Sequence, residues 1–190
     1  MARPKEFDQE KALRKAIHLF SQQGFAATST DDLMRVMGIG RQSMYDTFGD
    51  KRALFLKALE LYVTEGIQAI ITELEKPGPA LPAVQSALAA FAERNDLSSA
   101  EGCMGLNAIC EFGQRDDDVT RITRNAARVQ RETLMRVLTR AKGQGELGSD
   151  ADLDSMADFF ESTLAGIRMA AKAGKSRHAL RKIAAFAGRA

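Results

Sequence analysis

The sequence is poor in cysteine, histidine and proline. Only two of its 190 residues are cysteine, Cys103 and Cys110, and only two are histidine. With no Cys-x-x-Cys pair and so few imidazoles, neither a structural zinc site nor any other cofactor is expected. Proline occurs four times, three of them between Pro77 and Pro82, so one breaker dominates the chain. No run of about 18 apolar residues exists, which argues against a membrane-spanning helix and a membrane partner. The opening Met1-Ala2-Arg3-Pro4-Lys5-Glu6 lacks the apolar core and cleavage site of a signal peptide, and a cytoplasmic protein is the default expectation. No excess of one charge stands out either: 27 basic and 25 acidic residues leave a net +2. That balance does not argue for nucleic-acid binding, so any such binding must rest on local placement of charge.

What is present is a helix-forming vocabulary. Apolar residues make up 45 % of the chain, a normal share for a protein with a real core. Ala, Leu, Glu, Lys, Arg, Met and Gln dominate outside the breaker, and no segment alternates with period two. The chain is therefore expected to be all-α. A first helix is expected from Asp8 to Gln23, with Leu13, Ala16, Ile17 and Phe20 as its buried stripe and Gly24 as its stop. Thr28-Ser29-Thr30-Asp31-Asp32 is a cluster of N-cap residues that should open a short helix ending at Met37. Gly38 breaks it, and another short helix begins at Gly40 or Arg41. In that helix Met44 and Phe48 are four apart and share a buried face. Gly49-Asp50 then caps a long helix from Lys51 to Lys76. Beyond Pro77-Gly78-Pro79, helices are expected at Leu81–Arg94, Gly102–Phe112, Asp117–Lys142, Leu153–Ala173 and Ser176–Gly188.

Three short helices, the last two joined by a glycine-containing turn, frame a helix-turn-helix. The side chains suit DNA. Arg41 and Gln42 can bond base edges in bidentate fashion. Ser43 and Thr47 are short enough to let the helix sit deep in a major groove. Tyr45, Lys51 and Thr30 suit phosphate oxygens, and the helix opening at Lys51 adds free N–H groups. The expected DNA-contacting set is Thr30, Gly40, Arg41, Gln42, Ser43, Tyr45, Asp46, Thr47 and Lys51.

The order Gly24-Phe25-Ala26-Ala27-Thr28-Ser29-Thr30, continued through Leu33, Gly38-Ile39, Tyr45, Phe48, Lys51 and Leu54, resembles the tetracycline repressor (TetR) family. The resemblance covers about a quarter of the chain closely and the rest only in layout. It implies an N-terminal three-helix DNA-binding domain over residues 1–50. Residues 51–190 would form a helical ligand-binding and dimerisation domain, with 51–76 as the connecting helix. It further implies a homodimeric repressor that binds a palindromic operator on double-stranded DNA and leaves it on binding a small-molecule inducer. Three positions depart from the family's pattern. Gly40 stands where a serine or threonine usually caps the helix, Gln42 where glycine is common, and Thr47 where histidine is common. The cap should cost tenths of a kcal/mol. The other two bear on which operator is read.

In the C-terminal part, Phe91, Cys103, Met104, Phe112, Met135, Phe159 and Met169 are candidates for the wall of a ligand pocket. Plain core packing is the alternative for each. Gly102-Cys103-Met104-Gly105-Leu106-Asn107 is similar to wording in a TetR subgroup, some of whose members sense oxidants or electrophiles through cysteine. A helix start favours the thiolate, while a buried inert thiol is the other reading. The seven-residue spacing of Cys103 and Cys110 is about 10 Å of rise in one intact helix, too far for a disulfide. Glu111 could orient a ligand or pair with a base. Subunit pairing is expected through Met156, Phe160, Leu164, Ile167, Leu180, Ile183 and Ala187, with packing inside one chain as the alternative. No nucleophile–base pair, metal-ligand spacing or phosphate loop supports an enzyme, and a bare helical adaptor leaves Arg41 to Lys51 unexplained.

Overall fold

Asp8, Ser29, Asp50, Asp152 and Ser176 start five helices in the same way: each side-chain oxygen accepts an N–H three residues on. That bond satisfies one of the donors a helix start leaves orphaned. The computed structural model describes residues 7–94 and 103–189, and among these are nine helices and no strand. They are α1 (Gln9–Ala27), α2 (Thr30–Met37), α3 (Arg41–Phe48), α4 (Lys51–Leu74), α5 (Ala80–Ala92), α6 (Met104–Phe112), α7 (Asp117–Gly143), α8 (Leu153–Lys172) and α9 (Arg177–Ala187). The all-α expectation holds. The expected start of α6 at Gly102 lies outside the described residues. No helix among the described residues is long and apolar enough to cross a membrane.

One boundary differs instructively. Gly24 interrupts the regular helix with non-helical backbone, φ 81° and ψ 179°, as a stop glycine does, and a further turn then runs to Ala27. The turn survives because its exposed groups find partners. The Thr28 hydroxyl donates to the Gly24 carbonyl at 2.6 Å, and Glu111 accepts from Phe25 N and Ala26 N.

The chain divides into two units, residues 1–63 with 102–123 and residues 64–101 with 124–190. Helices α4 and α7 each contribute to both. The first unit buries Ala16, Phe20, Leu33, Met37, Met44, Phe48, Leu54 and Phe55 together with Met104 and Ala108 of α6. Phe20, Phe25, Phe55 and Phe112 form an aromatic cluster with centroid separations of 4.9 to 6.4 Å. Such contacts add to the area term in holding helices together. Expected stripe residues Ala16 and Phe20 are fully buried, and Met44 and Phe48 share the buried face of α3.

The second unit is a helical core of Leu88, Phe91, Leu134, Leu138, Phe160, Leu164, Ile167, Leu180 and Ala184. Of the expected pairing stripe, Phe160, Leu164, Ile167 and Leu180 are buried inside their own chain, the alternative stated for them. A helical stripe reports that a face is covered, not by which molecule. Each such side chain contributes about 1.5–3 kcal/mol by leaving water, which the single chain already obtains. Met156, Ile183 and Ala187 stay partly accessible. The large apolar side chains left outside on α8 and α9 are Phe159 (47 % exposed), Met169 (51 %) and Phe186 (70 %).

Candidate nucleic-acid interface

The surface that could meet DNA is built on α2 and α3. Leu33 and Met37 pin α2 to the core, Met44 and Phe48 pin α3, and Gly38 turns between them in a left-handed conformation at φ 73°. With that face buried, Arg41, Gln42, Tyr45 and Asp46 are exposed, and Ser43 and Thr47 are half-buried beside them. Gly40 is the N-cap of α3 and makes no side-chain capping bond. The first N–H groups of α3 are therefore left open toward the exposed side.

Neither base-reading candidate is free. The Arg41 guanidinium pairs with Asp31 of α2 at 2.9 Å, both well exposed. Gln42 Nε2 donates to Asp46 Oδ1 one turn on, at 2.8 Å. On α2, the Ser29 hydroxyl and then the Arg35 guanidinium hold the Asp32 carboxyl below its ordinary range. Thr30 is half-buried at the first position of α2.

Lys51 lies differently from the sequence expectation. Its ammonium turns inward, donating to the Thr28 carbonyl at 2.6 Å and lying 4.2 Å from the Phe25 ring centroid. The first turn of α4 packs on the loop between α1 and α2, so the nearest acceptor is backbone. An ammonium has three donors, which leaves capacity for a phosphate. Lys57, which sequence reasoning passed over, is exposed on α4 and donates to the Thr47 carbonyl at 3.4 Å. Only the meeting of α4 with the end of α3 singles it out, and no sequence spacing carries that.

The seven pocket candidates do not form one set. Cys103, Met104 and Phe112 belong to the first unit, and Phe91, Met135, Phe159 and Met169 to the second. Phe91 and Met104 are buried core, Phe112 joins the aromatic cluster, and Phe159 and Met169 face outward. Met135 packs against the second core. Cys103 is buried at the N-cap of α6, with its sulfur accepting from Leu106 N and the Tyr62 hydroxyl, each at 3.4 Å. Cys110 is exposed, and neither cysteine is in a disulfide. His18 Nε2 sits 3.1 Å from the Gln22 side-chain amide nitrogen. Among the described residues no cluster of His, Cys, Asp or Glu is placed to hold a metal ion.

Residues 12–69 match the family model for bacterial regulatory proteins of the tetR family, and residues 77–186 match the tetracyclin repressor-like C-terminal domain. The chain is 33 % identical over 174 residues to an uncharacterized HTH-type transcriptional regulator, YezE, of Bacillus subtilis, covering 90 % of each. It is 30 % identical to the HTH-type transcriptional repressor ComR of Escherichia coli, over 96 % of this chain and 88 % of that one. Among solved structures it is similar to a cysteine mutant of the TetR-family regulator CifR complexed with double-strand operator DNA. That similarity has a TM-score of 0.78 and 26 % identity over 99 % of both chains. These relatives are transcriptional regulators rather than enzymes. With its N-terminal helix-turn-helix and its C-terminal helices both matched, the chain belongs to the TetR family of DNA-binding transcriptional regulators.

Proposed function

We propose that the protein is a homodimeric repressor that reads a palindromic operator with α3 and releases it when an inducer binds. The observation that carries this reading is the exposed face of α3. Arg41 and Gln42 project from a helix whose opposite face is locked by Met44 and Phe48. Ser43, Tyr45, Asp46, Thr47 and the open N-cap at Gly40 flank them. Thr30 and Lys51 supply phosphate contacts in this reading, which takes residues 1–50 as the reading module and 51–190 as the regulatory and pairing part. The complex of CifR with its operator supports it by likeness.

Pairing is assigned to the outer faces of α8 and α9, where Phe159, Met169 and Phe186 are exposed and Met156, Ile183 and Ala187 partly so. Solvent-exposed apolar side chains of this size on adjacent helices fit a subunit contact. Two copies of α3 would then address successive major grooves, about 34 Å apart.

The inducer reading has a specific observation behind it at Cys103. Its sulfur caps α6 and receives the Tyr62 hydroxyl, so a bond formed between the sulfur and an electrophile strains both contacts at once. Gel shifts on the protein's own upstream DNA test the whole reading. Arg41→Ala should weaken operator binding by about 1–3 kcal/mol and relax the sequence preference at one position. Equal losses on operator and random DNA would remove the base-reading role. Cys103→Ser should keep DNA binding and lose any response to an alkylating agent. Full operator affinity in alkylated wild-type protein would make Cys103 structural and the inducer a reversible ligand.

A further inference from the structure

The second unit contains a cleft lined by core residues, by one of the seven pocket candidates, Phe159, and at its edge by Met156 and Ala187, which with Phe159 border the face assigned above to pairing. It opens where the first turns of α5 and α8 meet the last turn of α9, over the middle of α7, and has a volume of about 440 Å³. That lies within the range of small-molecule sites, roughly 300–1,000 Å³. Its floor is Leu88, Leu134, Leu138 and Phe160, all buried, so the cavity is walled by the core itself rather than by loose surface side chains. Water there finds few polar partners, and a water needs two to four to be held well.

The rim is different from the floor. Gln85 Nε2 donates to the Gly188 carbonyl at 2.7 Å, which ties the end of α9 to α5 at the edge of the cleft. The next residue, Arg189, also borders the cleft and is exposed, and no carboxylate among the described residues pairs with its side chain. The acids nearby in the chain are already engaged. Asp152 accepts from Ser155 N and from its hydroxyl, and Glu146 accepts from Ala80 N and Leu81 N. An apolar interior with one uncommitted cation at the mouth is complementary to an amphipathic anion.

We propose that this cleft binds a free amphipathic carboxylate, with its hydrocarbon part among Leu88, Leu134, Leu138 and Phe160 and its head paired with Arg189. Arginine suits that head because its planar fork takes a carboxylate through two parallel bonds. The site lies wholly within one unit, and its binding is measured without DNA. Its failure and the failure of the operator reading are therefore separate results.

Calorimetry on the full-length protein with decanoate, decanol and decyltrimethylammonium tests it. Decanoate should bind and the cation should not, and each methylene removed from the acid should weaken binding roughly fourfold. Arg189→Gln should weaken decanoate about tenfold and leave decanol unchanged. This residue is exposed, so that variant is not expected to disturb folding. Val84→Trp, on the partly buried wall, should fill the cleft and abolish binding while helicity and oligomeric state stay as in the wild type. Equal binding of acid and cation, or an unchanged affinity in Arg189→Gln, would overturn the anion site. Loss of the dimer in Val84→Trp would show that a second copy of the chain covers the cleft, and would overturn the proposal as well.

Discussion

At the residue scale, the two side chains proposed to read bases are held by acids. Asp31 holds Arg41 and Asp46 holds Gln42. An exposed ion pair is worth about 0.2–1 kcal/mol, while a good bidentate contact with the right base discriminates by about 1–3 kcal/mol. Arg41 should therefore leave Asp31 readily for a guanine and less readily for an unsuitable base. Asp31→Asn is expected to raise affinity for random DNA more than for operator. At fixed salt the specificity ratio should shrink by up to about fivefold in filter binding. An unchanged ratio would show that Asp31 plays no part in discrimination. Gly40 allows a second test. Its φ of −75° and ψ of 161° are ordinary for a capping serine, and an added Cβ meets nothing within 4 Å. Gly40→Ser should raise stability by a few tenths of a kcal/mol in thermal unfolding.

At the scale of elements, the contact of α6 with α1 is the most informative. Glu111 accepts from Phe25 N at 3.0 and 3.1 Å and from Ala26 N at 3.2 Å, and Asn107 Nδ2 donates to the Ser21 carbonyl at 2.8 Å. The positive φ at Gly24 points successive N–H groups to one side, a backbone arrangement that suits a carboxylate. From sequence Glu111 could orient a ligand or pair with a base, and the fold gives it backbone partners instead. Glu111→Ala should cost about 1–2 kcal/mol, the worth of charge-assisted bonds at a partly wet site. Gly24→Ala should cost about 1–3 kcal/mol for its backbone alone, because φ 81° with ψ 179° is a region essentially reserved for glycine. Its Cβ would also stand 1.8 Å from Glu111 Oε1, so the carboxylate would be driven out. The two substitutions share one interaction, and the double variant should cost clearly less than the sum in a double-mutant cycle. Strict additivity would mean that the clasp contributes nothing.

At the scale of the whole molecule, stability in acid is tied to the start of α4. Arg52 bonds Asp116 at 2.6 Å and Asp118 at 2.9 Å, and Asp116 also accepts from Val119 N at the start of α7. The Arg52 guanidinium, with that backbone N–H second, holds the Asp116 carboxyl down at about 2 instead of the ordinary 3.8. A carboxyl whose pKa is depressed on folding stabilises the fold at every pH above its unfolded value. That contribution is lost as the pH falls from about 4 to about 2. Asp116→Asn should lower the melting temperature at neutral pH and flatten the fall of stability between those two pH values. A parallel fall in both proteins would assign acid sensitivity to other groups. Assembly belongs to this scale too. Phe186→Asp, at a position 70 % exposed, should leave helicity intact and yield monomers that no longer bind operator. A stable dimer in that variant would move the interface off α9.

The helices and the helix-turn-helix frame were legible in the chain because both rest on neighbours within a few residues. Capping side chains, breaking glycines and the Met44–Phe48 spacing act locally, so they located α2 and α3 almost to the residue. What covers each apolar face depends on contacts between helices distant in sequence. Phe160, Leu164 and Ile167 have helical spacing whether their neighbour is the same chain or another, and the fold turned them inward. The same holds for the pocket candidates, which periodicity cannot assign to one unit or the other. It holds also for Lys51, Glu111 and Asp116, whose partners are backbone groups or charges remote in sequence. A side chain's chemistry is written in the chain, but the acceptor it meets is fixed by how distant helices pack.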